Sequence, residues 1–237
     1  IFNFVKSPST KNSYDDRDIE NLIMKHKTEL KLEKLDLNLG NKFLKEIGLK
    51  NNQKFVTVSV RDNAYGKKYK RKDESYKTYS NCTIEKYESA IKYLLNEGFF
   101  VFRMGKLTER KLEISHKNFL DYSHSKFKSD YLDIFLMSTS YMTITGHGGL
   151  DNISVMSRTP ILYTNFTPIG NWFTFYKYGM HMFKQHYDFN INKNINLNEI
   201  FERNLAGAFD SKIYKNKNIK VVENTDNEIL LSTKDMI

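Results

Sequence analysis

Tyr141–Phe166, YMTITGHGGLDNISVMSRTPILYTNF, is the stretch that decides the fold. Alternating and β-branched residues predict a strand over Tyr141–Thr145. The loop Gly146-His147-Gly148-Gly149 follows, then a helix that opens near Leu150 and ends before Thr159-Pro160. A second strand covers Ile161–Phe166. Glycines at such a junction tolerate positive φ and let backbone approach a ligand closely. The N–H groups at the start of the new helix face the crevice above the strand ends, a geometry suited to anions and above all to phosphate. The loop is neither G-x-G-x-x-G nor a P-loop with its Lys-Ser/Thr, so by itself it fits an ordinary tight turn equally well.

Working outward, the same alternation recurs. Phe55–Val60 (FVTVSV) and Phe99–Met104 (FFVFRM) read as strands, Phe119–Tyr122 as a short one, and Ile219–Val222 as the last. Between them, Tyr87, Ala90, Ile91, Leu94 and Leu95 make one apolar helical face that stops at Gly98, with Thr83 as its cap. Ser129 or Asp130 caps a helix running to about Ser138, Leu197–Leu205 reads as helical, and Thr225-Asp226-Asn227-Glu228 is a capping box. Upstream, Asp15–His26 and Asn38–Leu49 carry helical periodicity, the second stopping at Gly48; Asp15-Asp16-Arg17-Asp18 suits a helix start. A long polar loop spans Asn63–Asn81, and Asn165–Tyr187 is aromatic and irregular. Long loops inside a compact domain are often functional.

Strand–helix alternation from Phe55 onward predicts an α/β fold: a doubly wound, Rossmann-like parallel sheet of six strands starting near 55, 99, 119, 141, 161 and 219. Residues 51–237 form that domain. Residues 1–50 read as a helical lead-in or linker from a preceding domain, the chain starting at Ile1 as a fragment would.

The net charge is +9 and the pI about 9.3. Such a balance suits nucleic acid, an anionic membrane face or a phosphorylated substrate. Most of the excess is spread along a chain rich in Lys, Asn and Ile. One dense run, Lys67-Lys68-Tyr69-Lys70-Arg71-Lys72, stands out, and no nucleic-acid-binding motif accompanies it. No apolar run approaches the roughly 18 residues of a membrane span. Cys82 is the single cysteine, which excludes an internal disulfide and a Cys-based zinc site, and suits a reducing cytoplasm. His181 and His186 are five apart, not the helical spacing of a metal pair, so no metal is expected. Trp172, Phe173 and Phe175 suit either a packed satellite cluster or stacking on a ligand.

In a doubly wound sheet the ligand lies outside the carboxyl ends of the strands. The residues read there are Arg61 and Asp62 after the first strand, Arg103 and Gly105 after the second, His124 and Asp130 after the third, the glycine loop after the fourth, and Asn165 and Thr167 after the fifth. Arginine binds phosphate through a permanently charged fork, and one charge-assisted hydrogen bond contributes roughly 1.5–3 kcal/mol. Arg61, Arg103, Gly146, Gly148, Gly149 and Leu150 are therefore the candidate phosphate-binding positions. His147, exposed by the loop, and Asp62 are the candidate bases.

Four segments resemble bacterial glycosyltransferases of surface-polysaccharide gene clusters: FVTVSVRDNAYGKKY (55–69), YESAIKYLLNEGFFVFRMGK (87–106), DYSHSKFKSDYLDIFLMSTSYMTITGHGGLDNISVMSRTPILYTNFTPIG (121–170) and VVENTDNEI (221–229). A weaker likeness runs to fucosyltransferases, with Ser59 standing where those have His. The resemblance implies a GT-B fold, of which this chain is the C-terminal, donor-binding half. It implies transfer of a sugar from a nucleotide-diphosphate donor to a cell-surface glycan or lipid-linked acceptor, with no cofactor, in the cytoplasm or peripherally at the inner membrane face. Arg61, Asp62 and Tyr65 match the family's Arg-Asp-x-x-Tyr; Arg103, Met104 and Gly105 its Arg-Met-Gly; Ser129, Asp130 and Asp133 its Ser-Asp-x-x-Asp; Gly146 to Leu150 its glycine loop. Tyr65, Gly105, Ser129, Asp130 and Asp151 are then donor-binding support. Two rival classes are a basic nucleic-acid-binding module and a nucleotide-sugar-binding protein that does not turn its ligand over; nucleic acid is not the expected partner.

Overall fold

A computed structural model describes residue 18 and residues 22–26, 30–69, 74–173 and 176–237. The expected helix from Asp15 falls mostly outside them, as do Lys70-Arg71-Lys72 and Phe175. Within the described part, the helices are α1 (Leu22–Lys25), α2 (Lys34–Glu46), α3 (Ala64–Lys68), α4 (Glu88–Asn96), α5 (Asp130–Thr139), α6 (Asp151–Met156), α7 (Leu197–Glu202), α8 (Ser211–Asn216) and α9 (Asp226–Asp235). The strands are β1 (Phe55–Ser59), β2 (Phe100–Met104), β3 (Phe119–Leu120), β4 (Met142–Thr145), β5 (Ile161–Phe166), β6 (Gly179–Phe183), β7 (Gln185–Asp188), β8 (Lys193–Asn194) and β9 (Ile219–Val222).

The first six strands form one all-parallel sheet in the order β3-β2-β1-β4-β5-β6. Strand order reverses between β1 and β4, so the crevice above that pair is where ligands bind in such folds. Alternation along β1 divides the core. Val56 and Val58 pack with Ile91 and Leu94 of α4 and Ile229 of α9. On the opposite face Phe55 joins Phe100 and Phe102 of β2, Phe135 and Leu136 of α5, and Phe43 and Leu44 of α2. Helices thus cover both faces, and the interior strands β1, β2, β4 and β5 are buried along their whole length, as a parallel sheet requires. The α2 helix, within the expected lead-in, packs against α5 at Gly40, over which the Phe135 ring lies.

Three expectations are corrected. The sixth parallel strand is β6, inside the stretch read as irregular. Met180 and Met182 pack toward one core and Phe183 toward another, so neither side of the strand is polar and the two-residue period is hidden. Ile219–Val222 is a strand, but it pairs antiparallel to β7 in a small separate sheet, β8-β7-β9. The long loop after β1 is not structureless: it holds α3 and a 3₁₀ segment, Glu74–Ser80.

Caps form where the side-chain chemistry calls for them. Ser129 Oγ accepts from Leu132 N at 3.1 Å at the start of α5. Thr225 and Glu228 close the capping box of α9, and Asn196 and Glu199 close one on α7. Thr83 does not cap; its N–H and hydroxyl both bind the Glu223 carboxylate. Among the described residues no helix is long and apolar enough to cross a membrane.

Candidate functional site

A cleft of about 330 Å³ opens at the carboxyl ends of β1, β4 and β5. Arg61 follows β1, His147, Gly148, Asp151 and Asn152 follow β4, and Thr167 and Pro168 follow β5; all line it. The far wall is Lys77, Tyr79 and Ser80 of the 3₁₀ segment, with Asn171, Phe173 and Phe209. The lining thus combines two cationic side chains, Arg61 and Lys77, with His147 and Asp151 and with the aromatic rings of Tyr79, Phe173 and Phe209, and the His147 and Phe173 ring centroids are 5.5 Å apart.

Local backbone explains how these groups converge. Gly146 N donates to Ser59 O at 2.9 Å, tying the end of β4 to the end of β1. A Cβ on Gly146 would meet Cys82 Sγ at 3.0 Å and Arg61 N at 3.5 Å, so glycine lets β1 and the 82 turn close in. The next residue takes the left-handed conformation, but it is His147 (φ +58°), not a glycine. Gly148 and Gly149 have open space where a Cβ would go, and their φ angles are not in the left-handed region. The expectation that these two glycines supply positive φ gives way to a loop whose strain sits on the histidine.

Electrostatics at His147 and Asp151 are unusual. Arg61 Nε is buried and has no partner among the described residues. Burial, with the Arg61 charge acting in the same sense, lowers the His147 imidazole to about 4. Burial raises the Asp151 carboxyl to about 7, against the hydrogen bonds it accepts from backbone. One of those comes from Gly148 N at 3.1 Å, so part of the loop's donor capacity is already used by the protein. The expected helix begins at Asp151, with Leu150 as its cap residue, and is six residues long. His147 Nδ1 lies 3.7 Å from Asp151 Oδ2. At neutral pH the imidazole is uncharged, so this contact is not an ion pair.

Other predicted positions lie elsewhere. Arg103 is fully buried and is not in the cleft lining; its Nη1 donates to Thr108 Oγ1 at 2.9 Å and Asp121 Oδ1 at 3.3 Å, with Ser123 and His124 beside it. That arginine fastens the loop after β2 to the turn after β3. Gly105 (φ +146°) begins the same loop. Asp62 accepts from Ala64 N at 2.9 Å and Glu109 N at 2.7 Å, one bond to each oxygen, which makes it a clamp between two loops. Tyr65 is an exposed residue of α3. Ser129 caps α5, Asp130 pairs with Lys106 at the surface, and the Leu150 side chain packs into the α5 core. Asn165, instead of facing a ligand, donates its backbone N–H to Asn224 Oδ1 and accepts from Asn224 N at its own Oδ1, both at 2.6 Å.

Sequence reading did not identify Lys77, Tyr79, Ser80 and Phe209. The length of the loop after β1 is the only signal for the first three, and Phe209, between α7 and α8, has none. Among the described residues no group of three or more His, Cys, Asp or Glu is placed to hold a metal ion. Comparison with known proteins returns nothing: no family model, no curated protein and no solved structure matches this chain.

Proposed function

We propose that this chain binds a nucleotide sugar in the cleft and is the donor-binding, Rossmann-like half of a GT-B glycosyltransferase acting on a cell-surface glycan or lipid-linked acceptor at the cytoplasmic side of a bacterial membrane. The observation that carries this reading is the cleft's position: it opens where strand order reverses, between β1 and β4, and Arg61, whose Nε has no partner among the described residues, lines it together with the uncharged His147. A diphosphate beside Arg61 would gain a charge-assisted bond, and Asn171 and Phe173 suit the base or sugar. In transfer, the acceptor oxygen forms a bond to the anomeric carbon as the bond to the diphosphate breaks. Arg61 offsets the charge that develops on the departing phosphate. An uncharged His147 takes the acceptor proton, and anion binding next to Arg61 raises its basicity by screening the neighbouring positive charge.

The test is a thermal-shift panel of UDP-, GDP-, CMP- and dTDP-sugars. A ligand at 100 times its dissociation constant stabilises by about 2.7 kcal/mol. Arg61→Lys keeps charge but loses the fork, so affinity for the responding nucleotide drops by about one to two powers of ten. A panel in which no nucleotide raises the melting temperature rejects the reading.

A further inference from the structure

The chain leaves the cleft at Arg61, forms α3, and returns to the cleft wall at Lys77–Ser80. What α3 presents on this excursion is not used by the cleft. Tyr65 and Tyr69, one helical turn apart, are 43% and 50% exposed, and their ring centroids are 4.6 Å apart with planes at 46°. The backbone beneath them is anchored at the head of the helix. Gly66 is buried, and Asp62 holds Ala64 N at the head of the helix and Glu109 N in the facing loop.

Cations surround the pair. Lys67 and Lys68 are exposed on the same helix, and Lys106 stands near Tyr69. Their acidic neighbours are surface residues: Glu109 pairs with Lys67, and Asp130 pairs with Lys106 at 3.0 Å. Exposed pairs of this kind are worth under about 1 kcal/mol and exchange readily for another anion. In sequence the positive charge continues through Lys70, Arg71 and Lys72.

We infer that Tyr65 and Tyr69 form a docking platform for an acidic glycan, a sugar chain bearing carboxylates or phosphates. Aromatic faces with lysines beside them suit a polymer that offers an apolar ring face and a negative charge at each repeat. In the chain the platform lies between Arg61 and Lys77, two residues that line the cleft. The assignment of this glycan as acceptor rests on the glycosyl-transfer reading above; the docking itself does not.

The experiment is fluorescence anisotropy with a labelled oligogalacturonate, competed by maltoheptaose or by single-stranded oligo(dT). Nucleoside diphosphate binding is titrated in parallel by calorimetry. Oligogalacturonate is expected to bind, to weaken as salt rises, and to resist competition by maltoheptaose. Tyr65→Ala/Tyr69→Ala and Lys67→Gln/Lys68→Gln are each expected to weaken it by at least about tenfold, the scale of one aromatic contact or two screened charges. Both double variants change only exposed side chains, and unaltered melting confirms that they fold. Nucleoside diphosphate affinity should not move in Lys67→Gln/Lys68→Gln. Wild-type affinity in both variants, equal binding of the neutral glycan, or tighter binding of oligo(dT) overturns the proposal, the last identifying a nucleic-acid surface instead. Loss of nucleotide binding in the wild type would sink the cleft reading alone, since glycan docking is measured separately.

Discussion

His147 and Asp151 meet at 3.7 Å across the start of α6 with their usual charge states reversed in tendency: the base is lowered to about 4 and the acid raised to about 7. Both shifts come first from burial, and they push stability in opposite directions as pH changes.

For Asp151 the folded state takes up its proton near pH 7, well before the unfolded chain does, so this residue adds stability as pH falls from about 7 toward 4. Above pH 7 its buried charge is a cost. Asp151→Asn keeps an acceptor for Gly148 N and removes that cost. The variant should be more stable than wild type at pH 8, by on the order of 2–4 kcal/mol, with the advantage shrinking toward pH 5. Denaturant melts at the two pH values check this; a pH-independent difference would contradict it.

The histidines run the other way. His147, His181 and His186 are each lowered to about 4 by burial, so the unfolded chain binds protons between about pH 6.5 and 4 while the folded state does not. Their contribution is present above pH 6.5 and is lost as pH falls through that window. Three such groups outweigh one carboxyl, and the protein should lose stability steeply below pH 6. His186 is 1% exposed, and neither ring nitrogen has a protein partner among the described residues. His186→Phe should therefore raise the melting temperature at pH 7 and flatten the acid limb, as read by circular dichroism at pH 7 and 5.

The two strand-end arginines should separate cleanly. Arg103 is the buried counter-ion of Asp121, and Arg103→Ala leaves that carboxylate without its partner, at a cost of about 3–5 kcal/mol. Arg61→Ala should leave the fold within about 1 kcal/mol of wild type and reduce nucleotide affinity. Thermal melts and titration calorimetry on the pair distinguish a fold arginine from a ligand arginine.

Gly40→Ala places a methyl where the Phe135 ring lies. It should destabilise by about 1–3 kcal/mol, and Phe135→Leu in the same chain should recover part of that loss. A double-mutant cycle in urea measures the coupling.

Much of the sheet is legible in the sequence because β1, β2, β4 and β5 are short apolar runs bounded by Gly, Pro or charged residues. β6 is not, since Met, His and Phe alternate there and every side is partly apolar. Strand pairing of Ile219–Val222 is invisible to any local pattern, because its partner is a tertiary choice. At the site, Arg61, His147 and Gly148 follow from being next to strand ends. Arg103 lies inside β2, in register with Val58 rather than beyond the strand end as Arg61 is, and it turns inward to Asp121, which lies 18 residues later in the chain. Sequence position fixes where a side chain starts but says nothing about which carboxylate lies within its reach. The wall residues Lys77, Tyr79 and Phe209 come from segments without a period, and only folding brings them to the strand ends.

Lys184 is the single residue between β6, which ends at Phe183, and β7, which begins at Gln185. Its buried ammonium donates to the carbonyl oxygens of Tyr79, at 3.0 Å, and Asn81. The junction between the two sheets thus also holds the wall of the cleft, and this makes the spacing of the chain here a functional quantity. Inserting one residue would turn β7 over, carrying Gln185 and Tyr187 inward and His186 and Asp188 out to solvent. It would also withdraw the ammonium from the wall it supports. Loops around the cleft have room to grow or shrink, while the count of residues between Phe183 and Gln185 does not.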